Sequence, residues 1–174
     1  AARALGQAMA ERGLGLVYGG GNVGLMGIVA DSVMAHGGAA IGIIPEALMQ
    51  KEVGHRGLTE LHIVRNMHER KQMMADRADA FIAMPGGVGT FEELFETFTW
   101  AQLGYHDKPV GLLNVAGFYN GMLGFLNHAV SEGFLKQVHA DMLHVSTEPE
   151  DMLARLAAAP RVHVDKWQEG REKA

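Results

Sequence analysis

The chain has 174 residues, which suits one domain with its own hydrophobic core. A hydrophobic content of 48% and a charged content of 20% are typical of a globular protein and exclude a disordered one. Fifteen basic and twenty acidic residues give a formal net charge of −5, which argues against a nucleic-acid partner. The chain lacks cysteine, which excludes disulfides and thiolate metal sites and fits a cytoplasmic protein. No apolar run is long enough to span a bilayer, so we expect no membrane partner.

Strands and helices are predicted to alternate along the chain. The predicted strands are 14–18, 39–44, 61–64, 79–84, 110–113 and 142–145. The predicted helices are 1–12, 23–36, 66–78, 90–103, 118–132 and 149–158. Apolar strands between amphipathic helices indicate an α/β fold, a Rossmann-like, doubly wound parallel sheet with helices on both faces. We expect a single domain over residues 1–165 and a polar tail over 166–174. Because such a pattern rarely starts with a helix, we also expect a first strand before Ala1.

Two glycine-rich loops follow predicted strands. The first is GGGNVGLMG at Gly19–Gly27, and the second is PGGVGTFEE at Pro85–Glu93. In open α/β sheets, ligands bind at the carboxyl ends of the strands, close to helix N-termini. Both loops therefore lie where a ligand would bind.

The second loop has the features of a phosphate site. Gly86, Gly87 and Gly89 would supply unusual backbone conformations and close approach, and the following helix would present unpaired N–H groups. Thr90 would cap that helix or donate its hydroxyl to a phosphate oxygen. No Gly-Lys-Ser/Thr follows, which excludes a Walker A loop. A tight turn with helix capping explains the same residues equally well.

Two pairs of charged residues could act on a sugar phosphate. Glu92 and Glu93 are predicted in the first helical turn, where one could contact ribose, stabilise an oxocarbenium ion or direct a water. Stabilisation by the helix dipole is the alternative. Arg70 and Lys71 open another helix, and a guanidinium fork matches oxyanions. Taken alone, that pair is more typical of a solvated helix surface.

Together these motifs resemble one family. The pair RK at Arg70-Lys71 with PGGVGTFEE resembles the LOG family, the cytokinin riboside 5′-monophosphate phosphoribohydrolases, formerly labelled lysine decarboxylases. The resemblance extends over VYGGGNVGLMG from Val17, MHERKQMM from Met67 and TWAQLGYHDKPVGLLN from Thr99. It implies a cytoplasmic enzyme of cytokinin biosynthesis that cleaves the N-glycosidic bond of a cytokinin riboside or adenosine 5′-monophosphate. The products would be a free base and ribose 5-phosphate.

The resemblance also implies roles for individual residues. Arg70 corresponds to the family's essential arginine, and Glu93, the last residue of the PGGxGTxxE pattern, to its essential carboxylate. The phosphate loop would comprise Gly86, Gly87, Gly89 and Thr90. Further substrate contacts are implied for Glu52, Lys71, Gly87, Val88, Gly89, Thr90, Phe91, Glu92 and Thr99. No metal or organic cofactor is implied.

Other sites and activities fit the sequence less well. The nine histidines show no HExxH spacing, so a metal site is not predicted. A lysine decarboxylase would need a Schiff-base lysine, and Lys51, Lys71 and Lys108 have no context for one. A non-catalytic nucleotide or molybdenum-cofactor carrier on the same fold is the alternative function, and a purely structural module is a further one.

A homodimer is the expected assembly. The helix carrying Phe95, Phe98, Trp100 and Leu103 is apolar around much of its circumference, which is more than one sheet face needs. It also resembles the family's dimer-forming helix.

Overall fold

The computed structural model describes residues 1–49, 51 and 54–161. It contains two compact α/β units, one of Ala1–Ala78 and one that begins at Asp79. Within the described ranges, none of the helices combines the length and apolar character needed to cross a bilayer. The predicted polar tail, 166–174, lies outside the described residues.

The first unit contains a three-stranded parallel sheet in the order β1-β2-β3. Its strands are β1 (Leu16–Tyr18), β2 (Ala40–Pro45) and β3 (Glu60–Val64), and its helices are α1 (Ala2–Glu11), α2 (Gly24–Ala35), α3 (Glu46–Met49) and α4 (Met67–Arg77). Leu5, Ala8 and Met9, apolar residues at helical spacing on α1, are buried. Ile43 and Ile44 of β2 are completely buried, as expected for a parallel strand covered on both faces.

The second unit contains another three-stranded parallel sheet, in the order β4-β5-β6. Its strands are β4 (Phe81–Ala83), β5 (Val110–Leu113) and β6 (Leu143–Ser146), and its helices are α5 (Val88–Gln102), α6 (Asn120–Ser131), α7 (Gln137–Ala140) and α8 (Pro149–Ala158). The core includes Leu94, Phe98, Leu112 and Tyr119. Tyr119 is completely buried and donates its hydroxyl to the carbonyl of Met84, which ties α6 to the end of β4.

The predicted α/β class, parallel strands with helices on both sides, is confirmed. Every predicted strand and helix is present, and Gly13 and Gly37 end α1 and α2 with positive φ, as helix-terminating glycines do. The short helices α3 and α7 were not predicted, because four residues carry too little periodicity. The helix predicted at 90–103 begins two residues earlier, at Val88, and this shift changes the second glycine loop.

Candidate active site

The helix α4 begins with a complete cap that places Arg70 one turn inside it. The Asn66 side chain accepts a hydrogen bond from the Glu69 amide at 2.9 Å. The Glu69 carboxylate in turn accepts from the backbone amide and the side chain of Arg65, at 3.0 and 3.1 Å. These hydrogen bonds from Arg65 lower the pKa of Glu69. The first turn of α4 is thus anchored before the chain reaches Arg70.

Arg70 is a buried arginine, with only 7% of its surface exposed. Its Nε donates to the carbonyl of Ile43 in β2 at 3.2 Å, and its Nη2 donates to the carbonyl of Gly19 at 3.3 Å. Gly19 directly follows β1, so the guanidinium lies at the carboxyl ends of two neighbouring parallel strands. Because burial of a charged group is costly unless it is hydrogen-bonded, this placement differs from a solvated surface pair. The interpretation of Arg70 as a surface residue is therefore wrong.

The first glycine loop makes room for that guanidinium. A β-carbon at position 19 would overlap Nη2 of Arg70. Gly20 has a φ of +75°, a left-handed conformation that side chains disfavour. The need for glycine at position 19 was missed by the sequence reasoning, because the GGG run does not reveal which glycine faces a distant side chain.

The glycines of the second loop leave space around the backbone and do not adopt left-handed conformations. Gly86, Gly87 and Gly89 all lack positive φ, so the expectation of backbone conformations closed to other residues is wrong for them. A β-carbon at Gly86 would overlap Oγ1 of Thr90, whereas β-carbons at Gly87 and Gly89 would meet no atom within 4 Å. Open space at two glycines on a helix N-terminus leaves room for a ligand to approach the backbone.

The start of α5 corrects two further expectations. Gly87 is the N-cap and, among the described residues, no side chain caps the helix, so Thr90 does not cap it. Thr90 lies inside the first turn, and its side chain lies against Gly86. Glu92 and Glu93 are in the second turn rather than the first. The first turn therefore carries no acidic residue, and the N–H groups of Val88, Gly89 and Thr90 are those that helix geometry leaves without an intrahelical partner. That arrangement suits an anion better than the predicted one did.

The predicted substrate contacts on α5 lie on two different faces of the helix. Phe91, Leu94 and Phe98 point inwards, and Phe91 stacks on Phe118 with ring centroids 6.4 Å apart. Phe91 therefore packs on the core, although it was predicted to contact the substrate. Val88, with 82% of its surface exposed, and Glu92, Phe95 and Thr99 form an exposed stripe at helical spacing.

Glu93 is half-buried and lies about 100° around α5 from the exposed Glu92, because adjacent residues of an α-helix are rotated by that angle. Thr99 donates its hydroxyl to the Phe95 carbonyl at 2.7 Å, which leaves its oxygen lone pairs as acceptors. Phe98 is buried in the second unit, so it cannot belong to the predicted dimer face, whereas 36% of Phe95 is exposed.

The predicted site residues are thus distributed over both units. Arg70 and the half-buried Lys71 belong to the first, and the phosphate loop, Glu93 and Thr99 belong to the second. Glu52 lies outside the described residues. Among the residues that the structure describes, no group of three or more His, Asp or Glu side chains is arranged to hold a metal ion.

Comparison with known proteins identifies the family. A family model described as "Possible lysine decarboxylase" matches residues 26–156. The cytokinin riboside 5′-monophosphate phosphoribohydrolase LOG of Oryza sativa subsp. japonica is 57% identical over 137 residues, which are 79% of this chain and 57% of the relative. The probable phosphoribohydrolase LOGL1 of the same plant is 47% identical over 163 residues, 94% of this chain and 73% of the relative. The chain thus spans little more than half of the length of rice LOG.

A solved structure shares the fold. The molybdenum cofactor binding protein from Rippkaea orientalis superposes with a TM-score of 0.67 at 23% identity, over 90% of this chain and 84% of that one. At that identity the likeness concerns the fold alone. The sequence matches are far stronger, and by them this chain belongs to the LOG family of cytokinin riboside 5′-monophosphate phosphoribohydrolases.

Proposed function

We propose that the protein is a phosphoribohydrolase that cleaves the N-glycosidic bond of a purine-type nucleoside 5′-monophosphate, releasing the base and ribose 5-phosphate. The observation that carries the proposal is 57% identity to a protein named for this activity, in a chain that keeps both Arg70 and Glu93. The buried, hydrogen-bonded guanidinium of Arg70 adds physical support, because a structural surface arginine would not need that environment.

The substrate phosphate binds at the N-terminus of α5. Uncapped N–H groups, a helix dipole and open space at Gly87 and Gly89 all favour an anion there. Binding of the phosphate fixes the ribose, so that binding energy is used for orientation. The Thr90 hydroxyl lies at the same helix end and is a further donor for phosphate oxygens.

Bond cleavage proceeds through an oxocarbenium-like transition state. The Glu93 carboxylate stabilises the positive charge that develops at the anomeric carbon, or activates the attacking water. Arg70 binds the phosphate or the ribose through its guanidinium, and Lys71 contacts the nucleotide. The reaction requires no cofactor, because water is the only co-reactant in the hydrolysis of an N-glycosidic bond.

The substrate, the assembly and the location are parts of the same proposal. Adenosine monophosphate and its N6-prenylated form, a cytokinin nucleotide, are the proposed substrates, in keeping with the names of the relatives. The proposed assembly is a homodimer, with the exposed Phe95 on its contact face. The proposed location is the cytoplasm, which fits a chain without cysteine.

Base release from AMP and from N6-isopentenyl-AMP, followed by chromatography, tests the activity. Wild type, Arg70→Ala and Glu93→Gln are compared, with circular dichroism as the check on folding. We expect the wild type to free the base and both variants to lose the activity while remaining folded. A wild type that binds AMP and releases no base from either nucleotide would instead make the protein a carrier, the alternative on this fold.

A further inference from the structure

A short segment after the residues around Glu52 covers the first glycine loop. Gly54 forms an antiparallel bridge with Gly21, and the amide of His55 donates to the carbonyl of Gly20 at 2.9 Å. Both partners are buried backbone groups of the loop that follows β1. The segment therefore holds the loop by main-chain hydrogen bonds, in the manner of an added strand.

The ring of His55 fastens this segment to α2. Its Nδ1 accepts a hydrogen bond from the amide of Gly57 at 3.2 Å. Because Nδ1 accepts, the proton of the neutral ring is on Nε2, which donates to Oδ1 of Asp31 at 2.8 Å. His55 is 7% exposed, whereas the Asp31 side chain is 64% exposed. A buried imidazole thus bridges α2 and the covering segment, with both ring nitrogens used.

The covering segment and the guanidinium of Arg70 bind consecutive peptide groups of the first glycine loop. The Gly20 carbonyl accepts from the His55 amide, and the preceding carbonyl, that of Gly19, accepts from Nη2 of Arg70. Tyr18, which precedes Gly19, is held by the pairing of β1 with β2, although its buried hydroxyl has no hydrogen-bond partner among the described residues. The Gly19 carbonyl, which accepts from Arg70, therefore lies between two anchored points, the paired end of β1 and the Gly20 carbonyl, and its position depends on both.

We propose that His55 and Asp31 are positioning residues for Arg70. The imidazole holds the covering segment on α2, the segment holds the Gly20 peptide, and the Gly19 carbonyl keeps the guanidinium in place. The expected effect of His55 and Asp31 on catalysis rests on the proposed function. Their expected effect on the position of Arg70 rests on the hydrogen bonds alone. It assigns a functional role to two residues outside the RK and PGGxGTxxE motifs.

Three substitutions at His55 separate its two hydrogen bonds. His55→Gln places an amide near the position of Nε2 and keeps a donor for Asp31, whereas His55→Asn places an acceptor near Nδ1 and loses Asp31. His55→Leu loses both. We expect kcat for base release to fall by about 10- to 100-fold in the Leu and Asn variants, and to stay close to wild type in the Gln variant. Asp31→Ala should match His55→Leu, and the double variant should lose no more than either single one.

A spectroscopic signature of Arg70 makes the test independent of catalysis. The Nε–H resonance of Arg70 in a ¹⁵N NMR spectrum is assigned by its loss in Arg70→Lys. Its proton should exchange slowly with water, because the group is buried and donates to the Ile43 carbonyl. His55→Leu should shift this resonance and speed its exchange, and His55→Gln should not. Val33→Ala, a truncation at a completely buried position of α2, is the control for general destabilisation and should alter neither readout.

The outcomes distinguish the two proposals. Loss of kcat together with a changed Arg70 resonance in His55→Leu, with recovery in His55→Gln, supports the positioning role. An unchanged resonance in His55→Leu overturns it, whatever the activity. A wild type without hydrolase activity, combined with a changed Arg70 resonance, would refute the proposed function and leave the positioning role standing.

Discussion

Arg70 occupies the space beside Gly19 that a side chain at position 19 would need. The guanidinium donates to the Gly19 carbonyl at 3.3 Å, and a β-carbon on Gly19 would overlap Nη2. Because a β-carbon and the guanidinium cannot occupy the same space, the arginine can lie there only while position 19 is glycine. The buried position of Arg70 therefore requires glycine at position 19, 51 residues earlier in the chain.

Gly19→Ala should inactivate the protein nearly as well as removal of the arginine. The added methyl group displaces the guanidinium by an ångström or more, and such a misplacement costs about 100-fold in rate. Initial rates of base release from N6-isopentenyl-AMP measure the effect. Gly15→Ala is the matched control, because Gly15 lies at the other end of β1, also without positive φ, and a β-carbon there would meet its nearest atom, the Ala39 carbonyl oxygen, at an ordinary 3.5 Å. Equal activity of the two alanine variants would contradict the prediction.

Gly89→Ala should stabilise the fold and weaken substrate binding. Gly89 lies in the first turn of α5 without positive φ, and a β-carbon there meets no protein atom. Alanine in a helix is more stable than glycine by about 0.5–1 kcal/mol, so the midpoint of urea unfolding should rise. The same methyl group would intrude on a phosphate at the helix N-terminus, so KM for AMP should increase. A raised midpoint with an unchanged KM would place the phosphate elsewhere.

Asn66→Ala should destabilise the helix that carries Arg70. The Asn66 side chain accepts from the Glu69 amide at 2.9 Å, and loss of such an N-cap costs about 1 kcal/mol. Urea denaturation measures the change in the free energy of unfolding. Asn66→Asp keeps a capping oxygen and should retain most of that stability, so an equal loss in both variants would show that the cap is not the cause.

Stability should decrease in mildly acidic solution, in part because of His106. Burial lowers the pKa of His106 from 6.5, and the hydrogen bond to the Thr97 carbonyl at 3.0 Å opposes this shift only partly. Below pH 6.5 the unfolded chain binds the proton before the folded one does, so the free energy of unfolding falls as the pH decreases through this range. Well above pH 6.5 both forms are neutral and the contribution is constant.

His106→Gln removes the titrating ring and keeps a donor near the position of Nε2. The slope of unfolding free energy against pH, measured with urea between pH 6.5 and about pH 5, should therefore be smaller in this variant than in wild type. Parallel curves for the two proteins would rule out His106 as a source of the acid sensitivity.

Phe95→Glu should dissociate the proposed homodimer. Phe95 is 36% exposed on the outer stripe of α5 that also carries Val88 and Thr99, and a buried carboxylate at a subunit contact is costly. Sedimentation at micromolar concentration should give the mass of two 18.8 kDa chains for wild type and of one chain for the variant. Phe134→Glu, at a residue that is 90% exposed outside α5, should remain dimeric. A monomeric wild type would refute the assembly.

The sequence by itself determined the order of strands and helices, the α/β class and the family. Alternation of apolar strands with amphipathic helices is a local signal, and the RK pair with PGGVGTFEE is a contiguous one. Both can be recognised without knowledge of distant contacts. The same local signals placed Glu92 and Glu93 one turn too early and Thr90 at a cap, because the start of α5 depends on backbone geometry at Gly87.

Only the tertiary structure decided that Arg70 is buried and that Gly19 accommodates it. It also decided that His55 bonds to Asp31 and to the Gly20 carbonyl, and that Phe91 packs inwards. Each of these depends on residues that are brought together from different elements of the chain. Hydrophobic periodicity shows which face of a helix is apolar, but it does not show which backbone carbonyl a charged side chain on that helix will meet.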